Sequence, residues 1–191
     1  MPPLILASAS PRRRELLTQA GIAHDVVACT LIEPTRTPVG LPPRAWAMAL
    51  AYFKASDVAR RHPRRWVLGA DTIVICGDRI LGKPQDAADA RAMLELQAGV
   101  WTDVVTGVAL VRDVAAGATR HIIGVVTRVF MRDDHAVREA YIAGGEWEGK
   151  AGAYGIQDIG DQLVERIEGS FSNVVGLPME RVKELLHDYG V

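Results

Sequence analysis

Near its start the chain passes from a strand pattern to a helix pattern, and that switch constrains the fold more than any other feature. Leu4-Ile5-Leu6-Ala7 is an apolar run of strand length, Ser8-Ala9-Ser10 is small and polar, and Pro11-Arg12-Arg13-Arg14-Glu15-Leu16-Leu17 opens a helix. Proline suits the first helical position, where its missing N–H costs nothing. Three arginines in the first turn are unusual, because helix N-termini favour negative charge. Backbone N–H groups, hydroxyls and guanidiniums at one strand-to-helix turn point to an anion such as phosphate. A solvated basic turn accounts for the same residues equally well.

The remaining pattern keeps alternating. Strands are expected near 23–28, 66–75, 100–112, 119–131 and 162–167, and helices near 44–60, 86–97, 134–143 and 179–189. Residues 29–43, with Pro34, Pro38, Pro42 and Pro43, read as a loop, as do residues 144–155, rich in glycine. Gly77-Asp78 fits a hairpin turn, and residues 113–118 fit the turn of a long antiparallel pair. Hairpins and crossovers together predict an α/β protein with a mixed β-sheet flanked by helices. No internal repeat or linker interrupts 1–191, so one domain is expected.

Composition narrows the function classes. The chain has 191 residues, 49% of them hydrophobic, enough to bury a substantial core. A formal net charge of −1 leaves no overall electrostatic footprint for nucleic acid or a membrane surface. Cys29 and Cys76 match no metal or redox spacing, and no apolar run reaches bilayer length. The expectation is a soluble, reduced, cytoplasmic protein.

Asp71 interrupts the apolar strand Trp66-Val67-Leu68-Gly69-Ala70-Asp71-Thr72-Ile73-Val74-Ile75, where a charge is costly unless paired or metal-bound. Both a structural ion pair and a reactive site satisfy that condition. Lys54 sits on a mostly apolar helix, either aimed inward or snorkelling to solvent. Lys83 lies in the tight Gly82-Lys83-Pro84 turn, and Glu33 in the proline-rich loop. Neither a P-loop nor a Gly-x-Gly-x-x-Gly turn is present. The histidines at 24, 62, 121, 135 and 187 are scattered without ligand spacing. Carboxylates with several cations remain, the set expected for hard-metal-assisted attack on phosphate.

These residues resemble the Maf family of nucleoside triphosphate pyrophosphatases. The likeness runs through Ser8-Ala9-Ser10-Pro11-Arg12-Arg13, Gly69-Ala70-Asp71-Thr72-Ile73-Val74, Gly82-Lys83-Pro84 and Lys150-Ala151-Gly152-Ala153-Tyr154-Gly155-Ile156-Gln157. Glu168-Gly169-Ser170 and Asn173-Val174-Val175-Gly176-Leu177-Pro178 continue it. The resemblance implies a single α/β domain with an elongated mixed sheet, distantly similar to inosine triphosphate pyrophosphatases and often homodimeric. It implies hydrolysis between the α and β phosphorus atoms, releasing a nucleoside monophosphate and pyrophosphate. Asp71 then matches the catalytic carboxylate and proton acceptor. Glu33, with Asp71, matches the positions for a divalent cation (Mg²⁺, Mn²⁺ or Co²⁺). Ser8, Arg13, Lys54 and Lys83 match positions around the phosphates.

The resemblance also bears on the base. One branch of the family acts on dTTP and UTP, another on 7-methyl-GTP, and the pyrimidine branch carries Arg, Thr and Gln where this chain has Arg12, Thr72 and Gln157. A glutamine amide both donates to and accepts from the imide edge of uracil or thymine. Two departures stand out: Phe53 precedes Lys54 where a polar residue is usual, and Asp158 follows Gln157 where glycine is common. A 7-methyl-GTP pyrophosphatase and a nucleotide-binding regulator of septum formation are the competing readings.

Overall fold

The apolar run at the N-terminus is a strand because both of its faces are covered. In β1 (Leu4–Leu6) the side chains of Leu4 and Leu6 enter one buried cluster, and those of Ile5 and the following Ala7 enter another. Period-two alternation makes that division automatic, and a strand buried on both sides reads as a continuous hydrophobic stretch. The computed structural model describes residues 2–32, 34, 37–114, 117–156 and 162–191.

The element order is β1, α1 (Pro11–Gln19), β2 (His24–Val26), α2 (Pro43–Arg61), β3 (Trp66–Cys76), β4 (Arg79–Leu81), α3 (Ala87–Gln97), β5 (Trp101–Val114), β6 (Gly117–Met131), α4 (His135–Ala143), a 3-10 turn (Ala151–Ala153), β7 (Val164–Glu168), α5 (Phe171–Val175) and α6 (Met179–Asp188). The seven strands form one sheet in the order β2-β1-β3-β5-β6-β7, with β4 paired to β3. Strand β1 runs parallel to both β2 and β3, whereas β4 pairs antiparallel with β3 and β7 antiparallel with β6. This is the mixed α/β sheet that the strand and helix order implies. The structure goes beyond the sequence pattern in places. The short helix α5 lies in a segment without a helical period, and β5 and β6 extend into the interval read as a turn.

The residues group into two compact units. The first comprises Met1–Asp71, Thr106–Val125 and Gly176–Val191, and the second Thr72–Val105 and Val126–Val175. In the first unit, α1 and α6 supply Leu17, Val182, Leu185 and Leu186 to the cluster around Leu4, Leu6, Leu68 and Leu110. Helix α2 supplies Ala51, Ala55, Val58 and Ala59 to the cluster around Ile5, Ala7, Val67 and Val111. In the second unit, Gly77 takes φ 57° and closes the β3–β4 hairpin, whose register pairs Val74 with Leu81 and Cys76 with Arg79. Only a residue without Cβ adopts that left-handed conformation at no steric cost. No described helix is long and apolar enough to cross a membrane.

Candidate active site

The β1–α1 turn folds its basic residues inward selectively. Arg13 is 8% exposed although it lies in the first turn of a helix, while Arg12 is half-buried and Arg14 exposed. The Arg13 Nε donates to the Gly176 carbonyl at 2.8 Å and its Nη1 donates to Ser8 Oγ at 3.2 Å. Ser8, itself buried, also accepts the Ser10 N–H at 3.2 Å. No acidic residue occupies the first turn of α1, and the Ser10 side chain makes no capping hydrogen bond. A helix N-terminus, the Ser8 hydroxyl and a guanidinium of fixed orientation are thus collected at one turn.

Asp71 and Lys54 meet at a second point of the same unit. Lys54 Nζ donates to Asp71 Oδ1 at 2.6 Å, with the two side chains only 11% and 14% exposed. The close approach has a cause in the packing of α2. Alanines recur every fourth residue at 47, 51, 55 and 59, all buried, and form a flat stripe along the helix. Opposite them lie Gly69 on β3 and Gly107 on β5. A Cβ at Gly69 would stand 2.4 Å from the Ala51 carbonyl oxygen, and one at Gly107 would stand 2.2 Å from that of Ala47. With only methyl groups on the helix and no side chain at the two glycines, the helix lies close on the sheet, and Lys54 reaches the carboxylate two residues beyond Gly69. Phe53, the departure beside Lys54, is half-buried and leaves Lys54 buried. Lysine burial of this kind requires a charge partner, and Asp71 supplies it.

Asp57, one turn beyond Lys54, holds the loop that follows β2. Its Oδ2 accepts from the Thr30 N–H at 2.9 Å, the Thr30 hydroxyl at 3.3 Å and Arg61 Nη2 at 2.8 Å. The Thr30 N–H bond above all, with help from Arg61 and the Cys29 thiol, holds the carboxyl down to about 2 against the opposing effect of burial. Sequence reasoning missed this anchor. Its one signal was an acidic residue on a mostly apolar helix, with arginine four residues later.

In the second unit, Thr72 is half-buried in β3 and Lys83 is exposed. The turn carrying Lys83 is tied down: the Gly152 N–H donates to the Gly82 carbonyl at 2.9 Å. Gly152 takes φ 70°, and a Cβ there would meet Val74 at 3.0 Å. Its carbonyl accepts from Gln97 Nε2 at 2.7 Å, and the Gly155 N–H donates to the buried Tyr141 hydroxyl at 3.2 Å. Gln97 and Tyr141 carry no sequence signal, since their partners lie 55 and 14 residues away. Burial pushes the phenol of neighbouring Tyr154 up. Glu33 and Gln157 lie outside the described residues.

A divalent cation fits the donors present. Asp71 offers hard carboxylate oxygens, suited to Mg²⁺ or Mn²⁺. Among the described residues no group of three or more His, Cys, Asp or Glu gathers as a cage. Magnesium-type ions are commonly held by one or two carboxylates together with substrate phosphates, which such a sparse donor set allows.

A family model described as "Maf-like protein" matches residues 3–189. A dTTP/UTP pyrophosphatase of Gloeobacter violaceus is 45% identical over 190 residues, covering 97% of this chain and 95% of that protein. A dTTP/UTP pyrophosphatase of Geotalea uraniireducens is 46% identical over 189 residues, covering 98% and 95%. Among solved structures, a HAM1 protein from Coxiella burnetii matches 70% of this chain and 75% of its own at 14% identity. Its TM-score of 0.49 is too loose an overlap to place the fold.

Proposed function

The chain belongs to the Maf-like family, and on that premise we propose that it is a nucleoside triphosphate pyrophosphatase acting on dTTP and UTP. The products are the nucleoside monophosphate and pyrophosphate, and modified pyrimidine nucleotides fall within the same substrate class. The observation that carries the reading is the buried ion pair of Lys54 and Asp71 at 2.6 Å, set in the strand motif Gly69-Ala70-Asp71-Thr72. A carboxylate and an ammonium at hydrogen-bond distance supply both groups that anhydride hydrolysis requires. One takes a proton from water and the other offsets charge on phosphate oxygens.

In this reading Asp71 is the proton acceptor. Ser8, Arg13, Lys54 and Lys83 bind phosphate oxygens, with Arg13 held in orientation by Gly176. Arg12, Thr72 and Gln157 select the pyrimidine. Support for that choice comes from the three residue identities and from relatives whose names state dTTP and UTP. Glu33 and Asp71 hold a divalent cation (Mg²⁺, Mn²⁺ or Co²⁺), which when bound polarises a phosphoryl oxygen. The same reading takes 1–191 as one cytoplasmic pyrophosphatase domain that binds no nucleic acid.

Replacing the carboxylate by its amide tests the assignment. Asp71→Asn keeps the shape and removes the base, so pyrophosphate release falls by about 10²–10⁴-fold while thermal unfolding stays cooperative. A folded Asn variant with undiminished turnover overturns the reading.

A further inference from the structure

Gln97 ends α3 as a side chain of 0% exposure. Its Nε2 donates to two carbonyls, Gly152 at 2.7 Å and Met93 at 3.0 Å, while Oε1 is buried with no hydrogen-bond partner among the described residues. Two acceptors converging on one amide atom require that atom to be the nitrogen, which fixes the orientation of the group. An apolar residue of the same shape would leave no oxygen stranded, and a stranded buried acceptor is destabilising. The carboxamide therefore contributes through its donors. What it holds is the peptide of Gly152, whose N–H in turn donates to Gly82 at 2.9 Å, next to Lys83.

We propose that Gln97 is a positioning residue: its amide, through the Gly152 peptide, fixes the Gly82-Lys83-Pro84 turn and the glycine-rich segment 150–155 as one piece. The chain of bonds runs from Gln97 Nε2 to the Gly152 carbonyl, and from the Gly152 N–H to the Gly82 carbonyl. Hydrogen bonds in series across one peptide polarise each other and make the two turns move together. Tyr141 holds the far end of the same segment through the Gly155 N–H. The consequence for activity rests on the pyrophosphatase reading: with Lys83 on phosphate, losing Gln97 weakens substrate binding more than it slows chemistry.

Two variants test the inference. Gln97→Met keeps volume and deletes the donors. Its KM for UTP should rise about tenfold with kcat changed by less than about threefold, since small displacements of binding groups have large effects. Gln97→Glu cannot donate when ionised but donates again when protonated, and burial favours the protonated form. The KM of Gln97→Glu relative to wild type should therefore recover as pH falls, a profile that loss of packing alone does not produce. Hydrogen exchange provides a readout independent of turnover. In Gln97→Met, the amides of residues 82–83 and 150–155 should exchange faster together, with the amides in the middle of α3 unchanged. An unchanged KM, a pH-independent Gln97→Glu, or exchange that quickens in one segment alone overturns the proposal. If wild type releases no pyrophosphate from UTP, the functional reading fails instead, and the exchange experiment still decides the coupling.

Discussion

Single side chains show where local pattern stops carrying information. Asp71 was visible as a charge inside an apolar strand, but its partner was not: Lys54 is 17 positions away and joins it only through tertiary packing. Arg13 and Arg14 are adjacent and chemically identical, yet one is buried against Ser8 and Gly176 and the other is exposed. The helical turn decides between them, through contacts 163 residues apart in sequence. Asp57 gives a residue-scale prediction. Its folded-state value near 2 lies below the ordinary 3.8, so its contribution to stability is present above about pH 4. It is lost as pH falls from about 4 towards 2. Wild type should therefore lose thermal stability more steeply across that window than Asp57→Asn, which has no proton to bind there. Parallel acid-stability curves would show that the Thr30 and Arg61 bonds contribute nothing.

Among the elements, α2 is the one whose position sets the site. A helix rich in alanine has little hydrophobic area to offer, but a stripe at every fourth residue can approach a sheet more closely than larger side chains allow. Gly69 and Gly107 complete that contact from the other side. Replacing Gly69 with alanine would place a methyl 2.4 Å from the Ala51 carbonyl, so the helix must lift. Overpacking of this kind costs about 1–3 kcal/mol. A fall in the denaturation midpoint is expected together with a loss of activity, because Lys54 is carried away from Asp71. A variant with both properties intact would show that close approach of α2 is not what positions the pair. The element order itself was largely legible: runs such as Trp66–Cys76 and the alanine-rich α2 announce their type through period and flanking turns. Helix α5 was not. Its five residues are too few for a period to show, and Asn173 holds it by donating to the Val104 carbonyl and Thr127 hydroxyl, contacts that no local pattern reveals.

For the whole molecule, sequence order and spatial order diverge. The first unit assembles from three separate stretches and the second from two, with β3, β5 and β6 contributing residues to both. Turn motifs spread across the chain gave the chemistry a direction, from the serine-arginine turn to the Gly82-Lys83-Pro84 turn. Composition added only exclusions. Base choice is the most demanding part of the account, because it rests on Arg12, Thr72 and Gln157 together rather than on any one contact. The most direct measurement is pyrophosphate release from a panel of nucleoside triphosphates with Mg²⁺, Mn²⁺ or Co²⁺, reported as kcat/KM for each. Turnover of UTP and dTTP to the monophosphate and pyrophosphate, well above that of 7-methyl-GTP, is the predicted result. Preference for 7-methyl-GTP, or release of orthophosphate in place of pyrophosphate, would contradict it.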